Sequence, residues 1–326
     1  MEIIWNMGIT WNIFFQNLGG GMKIPMEIFT FLGTENFFLL LLPAIYWCMD
    51  ARVGLRVGII LLLCATVNDS LKMFFHGPRP YWFSGKVIMY AREPSFGLPS
   101  GHAQIAVGVW GMLAYCIGKW WGWAAAVLII LLIGISRLYL GVHFPHDIFI
   151  AWAIGALLLW LVLYFWEPVN SWISKISTRG KILTSFLASQ ILIIFSLISF
   201  HRLQTMNWRI HQAWADFAQE AASMNVTVSS CGILFGLLAG SAWLNSRGGF
   251  DPKGPVTIRI LRYLLGLSGV TVFAFGLKEL FGMIDTGTEP ALPHILRYLR
   301  FAITGIWISA GAPWIFVKMN LAEKTP

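Results

Sequence analysis

Charge is what this chain has least of. Only 12% of its 326 residues are Asp, Glu, Lys or Arg, while 57% are hydrophobic. A soluble domain carries about 25% charged residues, so there is too little polar surface here to wrap a core, and a soluble fold is excluded. Cysteine is scarce as well. Cys48, Cys64, Cys116 and Cys231 all lie inside apolar runs with no short ligand-type spacing, which argues against a disulfide framework and a zinc site. The apolar runs are continuous rather than alternating, so an outer-membrane barrel is excluded. The N-terminus has neither a basic stretch nor a small-residue cleavage site and does not read as a signal peptide. Internal repeats and low-complexity tracts are absent. The net charge of +8, from 23 basic and 15 acidic residues, comes from singly scattered side chains and does not describe a nucleic-acid surface.

What the chain does have is long apolar runs, and a helical span needs about 20 such residues. Runs at 27–49, 53–74, 103–120, 122–140, 147–166, 182–200, 226–244, 260–281 and 298–317 predict an all-α, polytopic membrane protein with about nine transmembrane helices. In residues 1–22, Trp5, Trp11, Phe14 and Phe15 alternate with Asn6, Asn12, Gln16 and Asn17, as in an amphipathic segment lying in the membrane interface. A composition shift at 167–181 divides a five-span core (23–167) from a C-terminal bundle of about four spans (168–326). Between the sixth and seventh spans, Leu203, Ile210, Trp214 and Phe217 recur at roughly helical spacing and predict a second interfacial helix. Nine spans put the two ends of the chain on opposite sides. The larger share of the Lys and Arg residues, Arg52 and Arg56 of the first hairpin among them, falls on the side opposite residues 76–101, so that loop is expected on the extracytoplasmic face.

Charge at membrane depth is expensive, so each charged residue at a span end needs a reason. The second span ends K-M-F-F-H-G-P-R-P (72–80), the third follows L-P-S-G-H (98–102), and the fourth ends S-R-L-Y-L-G-V-H-F-P-H-D (136–147). Antiparallel neighbours bring these three segments out on one face. Lys72, Arg79 and Arg137 with Ser100 and the N–H groups opening a helix at Gly101 form an oxyanion site. Two histidines supply a nucleophile and an acid. His143 and Asp147 share a face if Pro145 starts a helix, so Asp147 can orient the His143 ring. No carboxylate pair suggests a metal site, which leaves developing charge to Lys and Arg.

These segments resemble the signature of the type 2 phosphatidic acid phosphatase family of integral-membrane phosphatases: K-x6-R-P (Lys72, Arg79, Pro80), P-S-G-H (Pro99 to His102) and S-R-x5-H-x3-D (Ser136, Arg137, His143, Asp147). The resemblance covers roughly residues 27–166. It implies that His143 forms a phosphohistidine, that His102 is the acid for the leaving group and then the base for water, and that Asp147 supports His143. By the same resemblance Lys72, Arg79, Ser100, Gly101 and Arg137 hold the phosphoryl oxygens, and no metal or other cofactor is needed. The expected activity is hydrolysis of a lipid phosphate or diphosphate monoester at the extracytoplasmic face, with membrane lipids and no nucleic acid as partners. Arg79-Pro80-Tyr81-Trp82 and the stretch from Tyr139 to Pro145 resemble the glucose-6-phosphatase branch. Residues 31–43 and Asn68-Asp69 resemble the sphingosine-1-phosphate phosphatase branch, so the substrate stays open. Phosphoryl transfer to an alcohol, a sugar-phosphate substrate and a non-catalytic anion binder or transporter are the alternatives.

Several nearby residues have plainer readings. Ser136 is expected to bond its own helix backbone, and Asp69 to act as a counter-ion one turn before Lys72. His76 and His146 read as polar loop residues, and His201, His211 and His294 as solvated. Arg92 and Glu93 either shape the mouth of the site or form a surface ion pair. Trp82 and Phe83 are expected as a lipid-contacting lip.

Overall fold

In a computed structural model, described over residues 2–205, 215–284 and 291–325, every regular element among the described residues is helical. In chain order these are α1 (Glu2–Gln16), α2 (Lys23–Phe31), α3 (Glu35–Cys48), α4 (Ala51–Phe75), α5 (Pro80–Phe83), α6 (Gly101–Ile117), α7 (Trp120–Tyr139), α8 (Pro145–Ser174), α9 (Thr178–Thr205) and α10 (Ala215–Ala221). There follow α11 (Asn225–Asn245), α12 (Val256–Thr271), α13 (Leu277–Ile284), α14 (Leu292–Ile306) and α15 (Ala312–Lys318). Short π-helical turns, Val272–Gly276 and Trp307–Gly311, join α12 to α13 and α14 to α15.

Among the described residues, seven helical stretches are long and apolar enough to cross a membrane. The number rises to eight if the pair Gly20–Phe31 and Glu35–Cys48, bent by 46°, counts as one span. Nine is therefore more than the helices themselves establish. The difference lies in α6, which stops at Ile117 after 17 residues. It stops because Gly118 takes a left-handed conformation (φ 65°) and donates its N–H to Ala114 O, a glycine C-cap. At the other composition break the helix runs on: α8 carries Pro168 inside it and ends at Ser174. Of the expected interfacial helix at 201–225, Leu203 lies in α9 and Phe217 in α10, whereas Ile210, Trp214 and His211 lie outside the described residues.

The chain forms two compact units. One comprises Met1–Phe38, Leu63–Val162 and Phe195–Met224, and the other Leu39–Leu62, Leu163–Ile194 and Asn225–Pro326. In the second unit α11 lies against α14 so closely that a Cβ on Gly232 would meet Tyr298 O at 2.6 Å, and one on Gly305 would meet Ile233 O at 2.6 Å. Small residues allow such contact, which is how helices associate without a hydrophobic driving force. Ser189 and Tyr298 share a hydroxyl hydrogen bond of 2.7 Å in the same unit.

The first unit carries all the residues of the three motifs. α4 ends before Gly77 and Pro78, where proline removes a donor and turns the preceding residue away from the helix. α4 and α6 are joined by buried amides. Asn68 Nδ2 donates to Gln104 Oε1 (2.8 Å) and Pro99 O (3.3 Å), and Gln104 Nε2 donates to Cys64 O (3.1 Å). α7 ends in a turn in which Gly141 has φ 75° and a Cβ would lie 2.6 Å from Ile88 O. Only glycine fits there. Gly141→Ala should therefore lower stability by about 1–2 kcal/mol, read as a lower melting temperature of the detergent-solubilised protein. An unchanged melting temperature would contradict this account of the turn.

Candidate active site

The site is built at the ends of five helices of the first unit, α4 to α8. α8 opens with Pro145 as its first residue, as the spacing predicts. Asp147 in that first turn reaches back so that Oδ2 accepts the Phe144 N–H at 2.9 Å, one half of a capping box. The same oxygen lies 3.3 Å from His143 Nδ1. A single carboxylate thus both caps the helix and orients the ring. On the far side of the ring, Arg79 Nη1 lies 3.3 Å from His143 Nε2. A guanidinium can only donate, so Nε2 presents its lone pair and Nδ1 carries the hydrogen toward Asp147.

His143 and Asp147 are each 1% exposed. Burial, then the positive charges of Arg79, Arg137 and Lys72 with His102, hold the His143 ring well below the usual histidine range. The ring is neutral at neutral pH, with its Nε2 lone pair turned toward Arg79. All the motif cations are buried too. Arg79 donates through Nη1 to Val142 O (2.8 Å), through Nε to Ser95 O (2.6 Å), and through Nη2 to Ser95 Oγ (2.9 Å) and Phe96 O (3.1 Å). Lys72 Nζ donates to the same Ser95 hydroxyl at 2.8 Å. Arg137 pairs with Glu93 and donates to Thr30 Oγ1 at 2.5 Å. Burial pushes the Glu93 carboxyl up, but Arg137, His102, Arg79 and Lys72 outweigh it and hold the group well below the usual carboxylate range.

Ser100 takes the N-cap position of α6, yet its hydroxyl makes no capping bond. Ser100 Oγ and Arg137 Nε are buried with no hydrogen-bond partner. A buried donor without a partner is costly, and Ser100 stands at the α6 N-terminus, where open backbone N–H groups suit an anion. Gly101 opens that helix, and a Cβ there would press to 3.1 Å from Asn68 Oδ1. Ser100 N donates to Asp147 O at 3.1 Å, joining the first turns of α6 and α8. His102, one residue into α6, is partly buried, and its side chain makes no hydrogen bond among the described residues. All eight residues singled out by the motifs therefore belong to one cluster of helix ends in the first unit.

The plainer readings divide. Ser136 Oγ bonds Ile133 O at 2.7 Å, as expected. Arg92 forms an exposed ion pair with Glu220 at 2.6 Å, whereas its neighbour Glu93 turns inward to Arg137. His146 is not a free loop residue. Its ring stacks on Phe144 (5.3 Å between centroids), and Nε2 lies 3.3 Å from Asp147 Oδ1. Trp82 is not an exposed lip either. It is buried, stacked on Phe217 of α10 at 5.5 Å and set against Phe96.

Some contributors had no signal in the motifs. α1 sends two buried amides into the turn that carries His143. Asn12 Nδ2 donates to Leu138 O (2.9 Å) and His143 O (3.0 Å), and Gln16 Nε2 donates to Tyr139 O (3.0 Å) and Ile88 O (2.7 Å). Ser95 gathers two of the three cations. Asn12 and Gln16 sit four apart on an amphipathic helix, where they look like part of its wet face, and Ser95 sits in a loop without periodicity.

Two stretches match family models: residues 53–171 match that of the PAP2 superfamily, and residues 228–324 that of the PAP2 superfamily phosphatase, transmembrane extension. Phosphatidylglycerophosphatase B of Bacillus subtilis is 31% identical over 159 residues, 45% of this chain and 76% of that protein. Glucose-6-phosphatase 3 of Bos taurus is 24% identical over 327 residues, 91% of this chain and 90% of its own length. Lipid phosphate phosphatase delta of Arabidopsis thaliana is 23% identical over 262 residues, 75% of this chain and 59% of that protein.

Asn12→Leu should remove the donor shared by Leu138 O and His143 O and let the His143 turn drift. The expected result is a fall in kcat of about tenfold or more with a smaller change in KM, and equal change in both would contradict a positioning role. The depressed His143 group also has a stability signature. The unfolded chain takes up this proton as pH falls through about 6.5 while the folded chain does not, so stability is full above that pH and declines below it, by up to about 1.4 kcal/mol per pH unit. Thermal melts between pH 7.5 and 5 should show a steeper loss for wild type than for His143→Asn, and parallel losses would contradict it.

Proposed function

This chain belongs to the PAP2 superfamily of phosphatases, and from that premise we propose that it hydrolyses a lipid phosphate or diphosphate monoester through a phosphohistidine on His143. The observation that carries the reading is the buried, neutral His143 ring held between Asp147 and Arg79, beside the unpartnered Ser100 hydroxyl and Arg137 Nε. In the first step the Nε2 lone pair attacks phosphorus while the bond to the ester oxygen breaks. His102 gives its proton to the departing oxygen, and Asp147 takes up the interaction with the Nδ1–H of the now cationic ring. Arg79 exchanges its contact with Nε2 for a phosphoryl oxygen. Lys72, Arg79, Arg137, Ser100 and the N–H groups at Gly101 hold the three equatorial oxygens, the kind of charge stabilisation worth about 10²–10³ in rate per donor. In the second step water attacks phosphorus while the bond to Nε2 breaks, the water proton passing to His102 and the Nε2 lone pair returning to a neutral His143 ring. Positive side chains meet the developing charge, so the sequence of steps calls for no metal ion.

A lipid substrate is favoured because the cations stand at the ends of apolar helices, Lys72 in the last turn of α4 and Arg137 in the last turn of α7. A headgroup lies at that depth in a bilayer. Two of the relatives are lipid phosphatases by name, which supports the same choice. A sugar phosphate is the second reading, favoured by the end-to-end similarity to a glucose-6-phosphatase. We further propose that α6 joins the seven spans and the bent pair in the membrane, which restores nine crossings, and that the site faces the extracytoplasmic side, as the Lys and Arg distribution supports.

Purified protein in EDTA, offered phosphatidate, sphingoid-base phosphate, polyprenyl diphosphate and glucose 6-phosphate, should release phosphate most efficiently from one of the lipids, and His143→Ala should abolish that release. Preference for the sugar phosphate would select the second reading, and phosphoryl transfer to an added alcohol would make the protein a transferase. Substantial activity in His143→Ala would refute the mechanism.

A further inference from the structure

The second unit contains an apolar cavity of about 320 Å³, lined by Ile182, Phe235, Trp243, Ile306, Ala310 and Trp314 among others. Its walls come from α9, α11, α14, α15 and the π turn Trp307–Gly311, which contributes the small residues Ala310 and Gly311. Turns of this kind recur at functional sites. Two of the walls are tryptophans, and each bears a cation on its ring. The Arg247 guanidinium stands 4.2 Å from the centroid of Trp243, and the Lys318 ammonium 5.7 Å from that of Trp314. Each cation follows its tryptophan by four residues at the C-terminal end of a helix.

The two helix ends lie together. Asp251 N donates to Glu323 O at 2.8 Å and Thr325 N to Gly248 O at 3.0 Å, pairing the segment after α11 with the segment after α15. Lys181 immediately precedes the lining residue Ile182 in the first turn of α9. The acidic residues at this end are Asp251, whose Oδ1 accepts the Lys253 N–H, and Glu323. The basic side chains outnumber them, with Lys324 lying beside Gly248. The arrangement is an apolar slot with a cation over each of the two tryptophans in its wall. Apolar slots take hydrocarbon, and cations beside a membrane select anionic headgroups.

We propose that this cavity binds one acyl chain of an anionic phospholipid, with the lipid phosphate held by Arg247 and Lys318. The site is separate from the catalytic cluster and does not depend on the reading of that cluster. The occupant is anionic because a zwitterionic headgroup would bring its own cation to a wall that already has two.

The test uses the full-length protein in detergent with equimolar phosphatidylglycerol and phosphatidylcholine, the bound lipids being counted by native mass spectrometry. Wild type should retain phosphatidylglycerol at least fivefold over phosphatidylcholine. The double variant R247Q/K318Q, altered only on exposed side chains, should retain one phosphatidylglycerol fewer and lose most of the preference. Trp314→Ala, which opens the slot, should lose the same lipid. Equal retention of the two lipids, an unchanged count in the double variant, or an unchanged count in Trp314→Ala would each overturn the proposal. Phosphate release measured on the same preparations reports separately on the catalytic cluster, so failure of one reading is distinguishable from failure of the other.

Discussion

Asp147 has two obligations, and the site depends on their being met by one oxygen. Its Oδ2 closes the open N-terminus of α8 through the Phe144 N–H and at the same time faces His143 Nδ1. Because the cap fixes the carboxylate, it fixes the tautomer and direction of the ring, which leaves Nε2 as the lone pair that meets Arg79. Burial removes the water that would otherwise let the ring protonate. The positive charges nearby act in the same direction, so a group that titrates near neutrality in water stays neutral here. The rest of the first unit can be understood as scaffolding for this short stretch of chain. α1 holds it from one side with amides, Gly141 lets it turn, and the backbone bond from Ser100 N to Asp147 O ties it to the N-terminal end of α6.

Concentrating three cations in a buried place has its own difficulty, since buried charges are expensive and repel one another. The chain meets it with neutral acceptors and one carboxylate. Ser95 takes bonds from Lys72 and Arg79 through a single hydroxyl, carbonyls of Ser95, Phe96 and Val142 take the remaining Arg79 protons, and Glu93 pairs with Arg137. Most of these partners are neutral, so the net field stays positive, which is what a phosphate dianion requires. Glu93 is the exception, its carboxylate pairing with Arg137, the cation whose Nε has no partner among the described residues.

Much of this could be read from sequence because it rests on short-range spacing. A spacing of four from His143 to Asp147, with proline at the helix start, dictates the contact between them before any tertiary structure is considered. The Lys72 to Arg79 interval works in the same way, bridging the end of α4 and the start of α5. Asn12 was illegible for the opposite reason. Its partners lie 126 and 131 residues away and are backbone carbonyls, which have no identity in a sequence. Trp82 failed as a lip because its cover comes from Phe217 in a distant segment. His146 lay in a variable position of a motif, and only the fold brings its Nε2 to Asp147 Oδ1. The helices establish fewer than the nine spans expected for a local reason, the early glycine cap of α6, which apolar composition conceals because the hydrophobic run continues through it.

The claim on which the account stands is that His143 Nε2 is the atom that takes the phosphoryl group. Rapid acid quench of the purified protein with ³²P-labelled lipid phosphate, followed by peptide mapping, tests it most directly. The account predicts label on the peptide containing His143, stable in base and labile in acid as a phosphoramidate is, and absent from His143→Asn. Label on a serine or on an acidic side chain, or full turnover with no labelled intermediate on His143, would contradict it.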